Sequence, residues 1–173
     1  GPLKDFLGPV MVETYKPYGF THRYIQANVS KLIRANWKIV MEAFMEAYHV
    51  IATHPHQMLM SGDCGNTHYD VFGNFGRGSQ FPSPGSPFRG MFLTDEEALE
   101  HYRQSADGQR GMIGALTGED LSEWSDAELN GSGFNDLFPN LHPWGGWMRI
   151  CFRFRPNGSN PDESIMDIYL LAP

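Results

Sequence analysis

Cysteine is nearly absent from this chain. The 173 residues include two, Cys64 and Cys151, and no Cys-x-x-Cys or Cys-x-His pair occurs. A zinc ribbon, a thioredoxin-type site and an iron–sulfur cluster are therefore excluded within the sequence, because each needs clustered thiolates. Two cysteines are also too few for a disulfide scaffold, so a reducing cytoplasm is the expected compartment. Basic residues are scarce as well: 13 Lys and Arg against 20 Asp and Glu give a formal net charge of -7. That balance argues against nucleic acid as the main partner, since phosphates demand basic patches. No apolar run approaches the ~20 residues that span a bilayer, and Gly1–Val10 does not read as a signal peptide. No membrane partner is expected, and neither internal repeats nor low-complexity tracts are visible.

What is present is a chain of single-domain length with 41% hydrophobic residues, enough for a substantial core. One domain over residues 1–173 is the expectation. In chain order, Met11–Tyr15 and Phe20–Val29 read as strands joined by a Lys16-Pro17-Tyr18-Gly19 turn. One long helix is expected over about Ala35–Ala52. The Gly-, Pro- and Ser-rich stretch from Ser61 to Gly90 holds one strand candidate, Asp70–Phe75, and a loop at Phe81–Pro87. Thr94-Asp95-Glu96-Glu97 opens a helix reaching about Arg103. Glu119–Leu129 reads as another, with Asp120 and Ser122 as candidate caps. Phe134–Phe138, Met148–Arg155 and Ile165–Leu171 complete the strands. In Met148–Arg155 the residues Arg149, Cys151, Arg153 and Arg155 alternate with Ile150, Phe152 and Phe154, a two-faced strand of period 2. The fold class that follows is α+β, an antiparallel sheet packed on helices.

The predicted long helix organises the rest. Trp37, Met41, Phe44, Met45 and Tyr48 form an apolar stripe at helical spacing, the usual sign of core packing. Glu42, Glu46 and His49 form a second, ionisable face, which on most helices is simply solvated. His54 follows five residues after His49. In an ideal helix the two rings point about 140° apart, so they converge only if the helix breaks between them. Pro55 supplies a reason, because the residue before a proline is pushed out of the helical region.

The whole string Glu42-x-Phe44-x-Glu46-x-Tyr48-His49-x-x-x-x-His54-Pro55, preceded by Asn36-Trp37-Lys38, resembles the iron-site helix of the Rieske-type aromatic ring-hydroxylating oxygenases, in the catalytic domain of the large (alpha) subunit. Asp70–Phe75 with Arg77, Leu137-Phe138-Pro139-Asn140 with Pro143-Trp144-Gly145-Gly146, and Phe154-Arg155-Pro156-Asn157-Gly158 are similar to family segments in family order. The resemblance covers nearly the whole chain. It implies the helix-grip (START/Bet v1-like) fold, a curved antiparallel sheet around a long C-terminal helix that this sequence does not show. It also implies Fe(II) held by His49 and His54, with Glu46 bridging toward an iron–sulfur centre in a neighbouring subunit. Many members carry Asp where Glu46 stands, and many carry Asn where Ala43 stands. Phe44 is the expected substrate contact.

The activity implied is insertion of oxygen from O2 into an aromatic or similarly hydrophobic ring. Electrons come from NAD(P)H through a reductase or ferredoxin and a 2Fe-2S cluster, in a homotrimer or α3β3 assembly. Two departures matter. The family's carboxylate ligand lies beyond the last strand, and none of Asp162, Glu163 and Asp167 sits where the motif puts it. The cysteine pairs of the iron–sulfur domain are missing. The chain therefore reads as a catalytic-domain fragment, or part of a longer protein, inactive alone. Two other readings stay open: a metal-free carrier of hydrophobic ligands on the same fold, and a zinc hydrolase using His49, His54 and His56. His-Glu-x-x-His spacing is absent, which counts against the latter. His22, His68, His101 and His142 have no partner at ligand spacing and are expected at the surface or hydrogen-bonded in the core.

Overall fold

The last third of the chain supplies four of the seven strands of one sheet. The computed structural model describes residues 1–54, 64–80, 85, 90–130, 135–144 and 149–172. In chain order the elements are α1 (Leu3–Tyr15), β1 (Tyr24–Ile33), α2 (Trp37–Glu42), α3 (Val50–Thr53), β2 (Thr67–Phe72), β3 (Phe75–Gln80), α4 (Asp95–Thr117), α5 (Asp126–Asn130), β4 (Asn135–Leu137), β5 (Leu141–Pro143), β6 (Ile150–Asn157) and β7 (Asn160–Ala172). The strands form one sheet in the order β1-β7-β6-β5-β4-β3-β2, antiparallel from β1 to β3. This is the mixed helix and antiparallel-sheet class that the sequence indicated.

The described residues fall into two compact units. The first holds Gly1–Met45, Tyr69–Gly78 and Phe134–Pro173; the second holds Glu46–His68 and Ser79–Gly133. In the first unit the period-2 pattern of β6 is realised. Phe152 and Phe154 are buried with Val40, Met41 and Met166, and Trp37, Phe44, Met45, Trp144 and Ile168 pack against them. The opposite face of the same strands carries charge. Asp167 on β7 stands directly across from Arg153 on β6 and Ser30 on β1. Its side chain accepts from Ser30 Oγ at 2.6 Å, from Arg153 Nη2 at 2.9 Å and from Arg155 Nε at 2.8 Å. Asp167 is only 2% exposed. The Arg155 hydrogen bond comes first in holding its carboxyl far below the usual carboxylate range, against burial, with Ser30 and Arg153 adding to it. This acidic residue is spent on the sheet.

His142 on β5 pairs with Phe152 and shares its face. It is neither at the surface nor hydrogen-bonded, contrary to expectation: it is 0% exposed, and neither ring nitrogen has a partner among the described residues. It stacks on Phe152, ring centroids 6.0 Å apart and 18° from parallel. The sequence pattern does not mark β5, because three residues are too few to show a period.

The N-terminal expectation is corrected. Met11–Tyr15 is helix, not strand: α1 runs Leu3–Tyr15 in two pieces around Gly8, whose φ of 75° suits a glycine, with Pro9 opening the second piece. Short 3-10 turns fill Lys16–Tyr18 and Phe20–His22, so the first strand begins at Tyr24 rather than Phe20. Tyr15 then donates to the Pro143 carbonyl at 2.5 Å, which fastens the helix to β5. The predicted Asp70–Phe75 strand is the junction of the β2–β3 hairpin, turning at Gly73-Asn74. The Phe81–Pro87 loop lies outside the described residues, except Gly85.

In the second unit α4 does start at the Thr94/Glu97 capping box, but it continues past Arg103 to Thr117. Its glycines cost about 1 kcal/mol each in a helix. Burial of Ala106 and Ile113 against Leu121, Trp124 and Leu129 offsets that. Arg110 adds bonds to the Trp124 carbonyl at 2.8 Å and to Asp126 at 2.6 Å. The second predicted helix is shorter than expected. Asp120 accepts from Ser122 N in a turn, and α5 begins only after Ser125, which forms its own reciprocal cap with Glu128.

Two predictions follow from the first unit. Asp167→Ala leaves two guanidinium groups without their carboxylate and lowers stability by about 2–3 kcal/mol, read from the urea midpoint. Burial pushes the pKa of His142 down to about 3, below the ~6.5 of an unfolded histidine. The folded state thus binds fewer protons than the unfolded one. The stabilisation is complete above about pH 6.5 and is lost as pH falls below it. The urea midpoint should drop between pH 7.5 and 5.5, and His142→Phe should remove most of that drop.

Candidate metal centre

The predicted long helix is two short ones. Asn36 caps α2 by accepting from Lys38 N at 3.0 Å. The helix ends at Glu42, one more turn carries Phe44 and Met45, and the chain then leaves helical structure at Glu46. The reason lies in Glu46 itself. Its carboxylate accepts the backbone N–H of Tyr48 and, at 3.1 Å, that of His49. A side chain that takes these donors competes with helix continuation and starts a new turn instead. α3 follows with His49 at its N-cap position and His54 at its C-cap. Of the predicted stripe, Trp37, Met41, Phe44 and Met45 reach the core, while Tyr48 is 77% exposed because it lies beyond the break.

Everything that bears on the two histidines lies within the second unit. Ala47 and Val50 are buried with Ile51 and Cys64 alongside, which anchors the short turn. His49 O accepts from Thr53 N at 2.8 Å and from Thr53 Oγ1 at 2.7 Å. His54 leaves the helical region at φ -128°, ψ 50°, as the residue before a proline should. The rings of His49 and His54 then stand 5.3 Å apart between centroids, 76° from parallel. The break that lets the rings converge is the one at His54, where the chain leaves the helix that begins after His49.

Glu46 also bonds the His49 ring, Oε1 to Nδ1. Partial burial raises its pKa, but the bonds from the His49 side chain, His49 N and Tyr48 N outweigh this and lower it on balance. It is therefore a carboxylate at neutral pH, an acceptor only. In the neutral imidazole the proton must sit on Nδ1, which leaves Nε2 with its lone pair available to a metal. The donor chemistry thus fits a metal held by His49 and His54, with Glu46 orienting the first. No group of three His, Cys, Asp or Glu able to hold an ion occurs among the described residues. His56 lies outside them. Phe44 belongs to the first unit, where its ring meets Phe152 at 5.1 Å, Phe154 at 5.4 Å and His142 at 6.0 Å.

Residues 13–172 match the model of the ring hydroxylating alpha subunit (catalytic domain) family. The chain belongs to that family. Solved structures agree on the fold. The quaternary ammonium Rieske monooxygenase CntA in complex with an inhibitor is 10% identical, with a TM-score of 0.56, and the match covers 99% of this chain and 36% of that one. A naphthalene 1,2-dioxygenase mutant bound to phenanthrene is 18% identical, with a TM-score of 0.54, covering 99% of this chain and 40% of that one. The chain thus spans well under half the length of these structures. No curated protein matches it in sequence. No helix among the described residues is long and apolar enough to cross a membrane.

The orienting bond gives a direct test. In 15N-labelled protein at pH 8, His49 should be found as the Nδ1–H tautomer. Glu46→Ala should return it to the Nε2–H form that free imidazole side chains favour. An unchanged tautomer in the variant would show that Glu46 does not orient the ring.

Proposed function

We propose that this chain is part of the catalytic domain of a Rieske-type ring-hydroxylating oxygenase, in which His49 and His54 hold Fe(II). The observation that carries the reading is the Glu46–His49–His54 arrangement in a chain of this family. An Fe(II) ion bound by two imidazoles with open positions supplies dioxygen activation for insertion of oxygen into a ring substrate. Glu46 would keep the His49 proton on Nδ1 and leave the Nε2 lone pair free for the metal. Its carboxylate, part-exposed beside the ligand, is the group through which electrons would enter from the 2Fe-2S cluster of a neighbouring subunit.

Residues 1–173 belong, in this reading, to one catalytic domain of a longer, cytoplasmic protein, assembled as a homotrimer or α3β3. A ferredoxin or reductase passes electrons from NAD(P)H, and the chain alone does not turn over. The phenanthrene in the naphthalene dioxygenase structure supports an aromatic substrate, with Phe44 among its contacts. The third ligand comes from outside the described residues. Asp167 is not available for that role, being enclosed by Ser30, Arg153 and Arg155.

The test is an anaerobic Fe(II) titration of the intact protein. The wild type should bind one iron per chain at the catalytic site, and His49→Ala and His54→Ala should each lose at least a hundredfold in affinity. If both variants bind iron as the wild type does, the reading fails. A carrier of hydrophobic ligands would then be the better account.

A further inference from the structure

In the first unit, β5 and the residue after it set two polar rings on the sheet face that carries Phe152 and Phe154. His142 has no partner for Nδ1 or Nε2 among the described residues, and Trp144 has none for Nε1; all three atoms are buried. The two rings are 5.6 Å apart between centroids. Around His142 stand Phe44 at 6.0 Å, Phe152 at 6.0 Å and Phe154 at 6.4 Å. Each buried polar group without a partner destabilises a fold by roughly 1–3 kcal/mol, and replacing it by an apolar ring of similar shape removes that cost. Phenylalanine already fills the neighbouring positions, so a purely structural cluster has an obvious apolar solution here. Histidine and tryptophan side by side bring hydrogen-bonding capacity to a wall that packing alone does not require.

We propose that His142 and Trp144 form a recognition pair for a hydroxyl-bearing aromatic ligand, whose ring packs on Phe44, Phe152 and Phe154. A neutral imidazole offers one donor and one acceptor, and an indole offers one donor. A phenolic hydroxyl is complementary: its oxygen accepts from Trp144 Nε1, and its proton goes to the acceptor nitrogen of His142. Burial keeps His142 uncharged near neutral pH. The pair therefore suits a neutral polar substituent and not a carboxylate, for which a buried cation would be needed. That the ligand is the substrate rests on the oxygenase reading; that the pair binds it does not.

Equilibrium dialysis of the iron-free intact protein with naphthalene, 1-naphthol and 1-methoxynaphthalene tests this. The wild type should bind 1-naphthol about tenfold more tightly than naphthalene, and the methoxy compound, which cannot donate, should lose most of that preference. His142→Phe and Trp144→Phe should each bring 1-naphthol toward the naphthalene value while naphthalene binding holds. Equal binding of the three ligands by the wild type would overturn the proposal, whatever the variants do. So would a preference that survives in both folded variants, since the two rings would then hold an internal water or nothing. Running His49→Ala in parallel separates the two readings. Loss of iron with the preference intact supports both, whereas a wild type that binds no iron yet prefers 1-naphthol removes the oxygenase reading and leaves the pair standing.

Discussion

One buried carboxylate fixes the register on which this sheet depends. Asp167 is shared by Ser30 on β1 and by Arg153 and Arg155 on β6. Sliding either neighbouring strand by one residue would turn these partners to the opposite face and leave the charge buried alone. With the charged face locked, the other face has no freedom. Phe152, Phe154, Met166 and Ile168 must point toward α2, and the bulky stripe of Trp37, Met41, Phe44 and Met45 closes over them. The packing of the first unit follows from a polar constraint on the side away from its core.

A second carboxylate governs the site. Glu46 takes the backbone donors of Tyr48 and His49 with one oxygen and the His49 ring with the other. The same side chain that ends the helical run also orients the histidine that follows. An aspartate at this position would have to do this with one methylene fewer. Here the extra length lets a single residue cap the new turn and hold the ring. Local backbone structure and site chemistry are set together.

The His142–Trp144 pair shows the opposite economy. Among the described residues, the first unit leaves three polar ring atoms without partners in the middle of an aromatic cluster, in a chain that satisfies Asp167 with two arginines and a serine. Stability alone favours apolar rings at both positions. The cost falls on the strand that was hardest to read, since β5 is only three residues long.

The sequence by itself determined the fold class, the two faces of β6, the capped start of α4 and the helix break that lets His49 and His54 approach. Each of these is written in short-range pattern: the alternation of Arg153 and Arg155 with Phe152 and Phe154, the Thr94/Glu97 cap, the spacing from Glu46 to His54. Where long-range packing competes with local preference, the sequence misled. Met11–Tyr15 has strand-like composition but folds as helix around Gly8-Pro9. Gly108, Gly111 and Gly114 argue against a helix that Ala106 and Ile113 nonetheless hold together by burial. The run from Ala35 to Ala52 has good helix formers throughout, and nothing in its propensity shows that Glu46 will spend its carboxylate on the backbone. Only tertiary structure decided that Asp167 is a sheet residue, that Tyr48 faces solvent and that His142 is buried with no hydrogen-bond partner for its ring among the described residues. These outcomes depend on which side chains meet, from Glu46 with the backbone two residues on to Ser30 with Asp167 across 137 residues, and period and propensity carry no record of that.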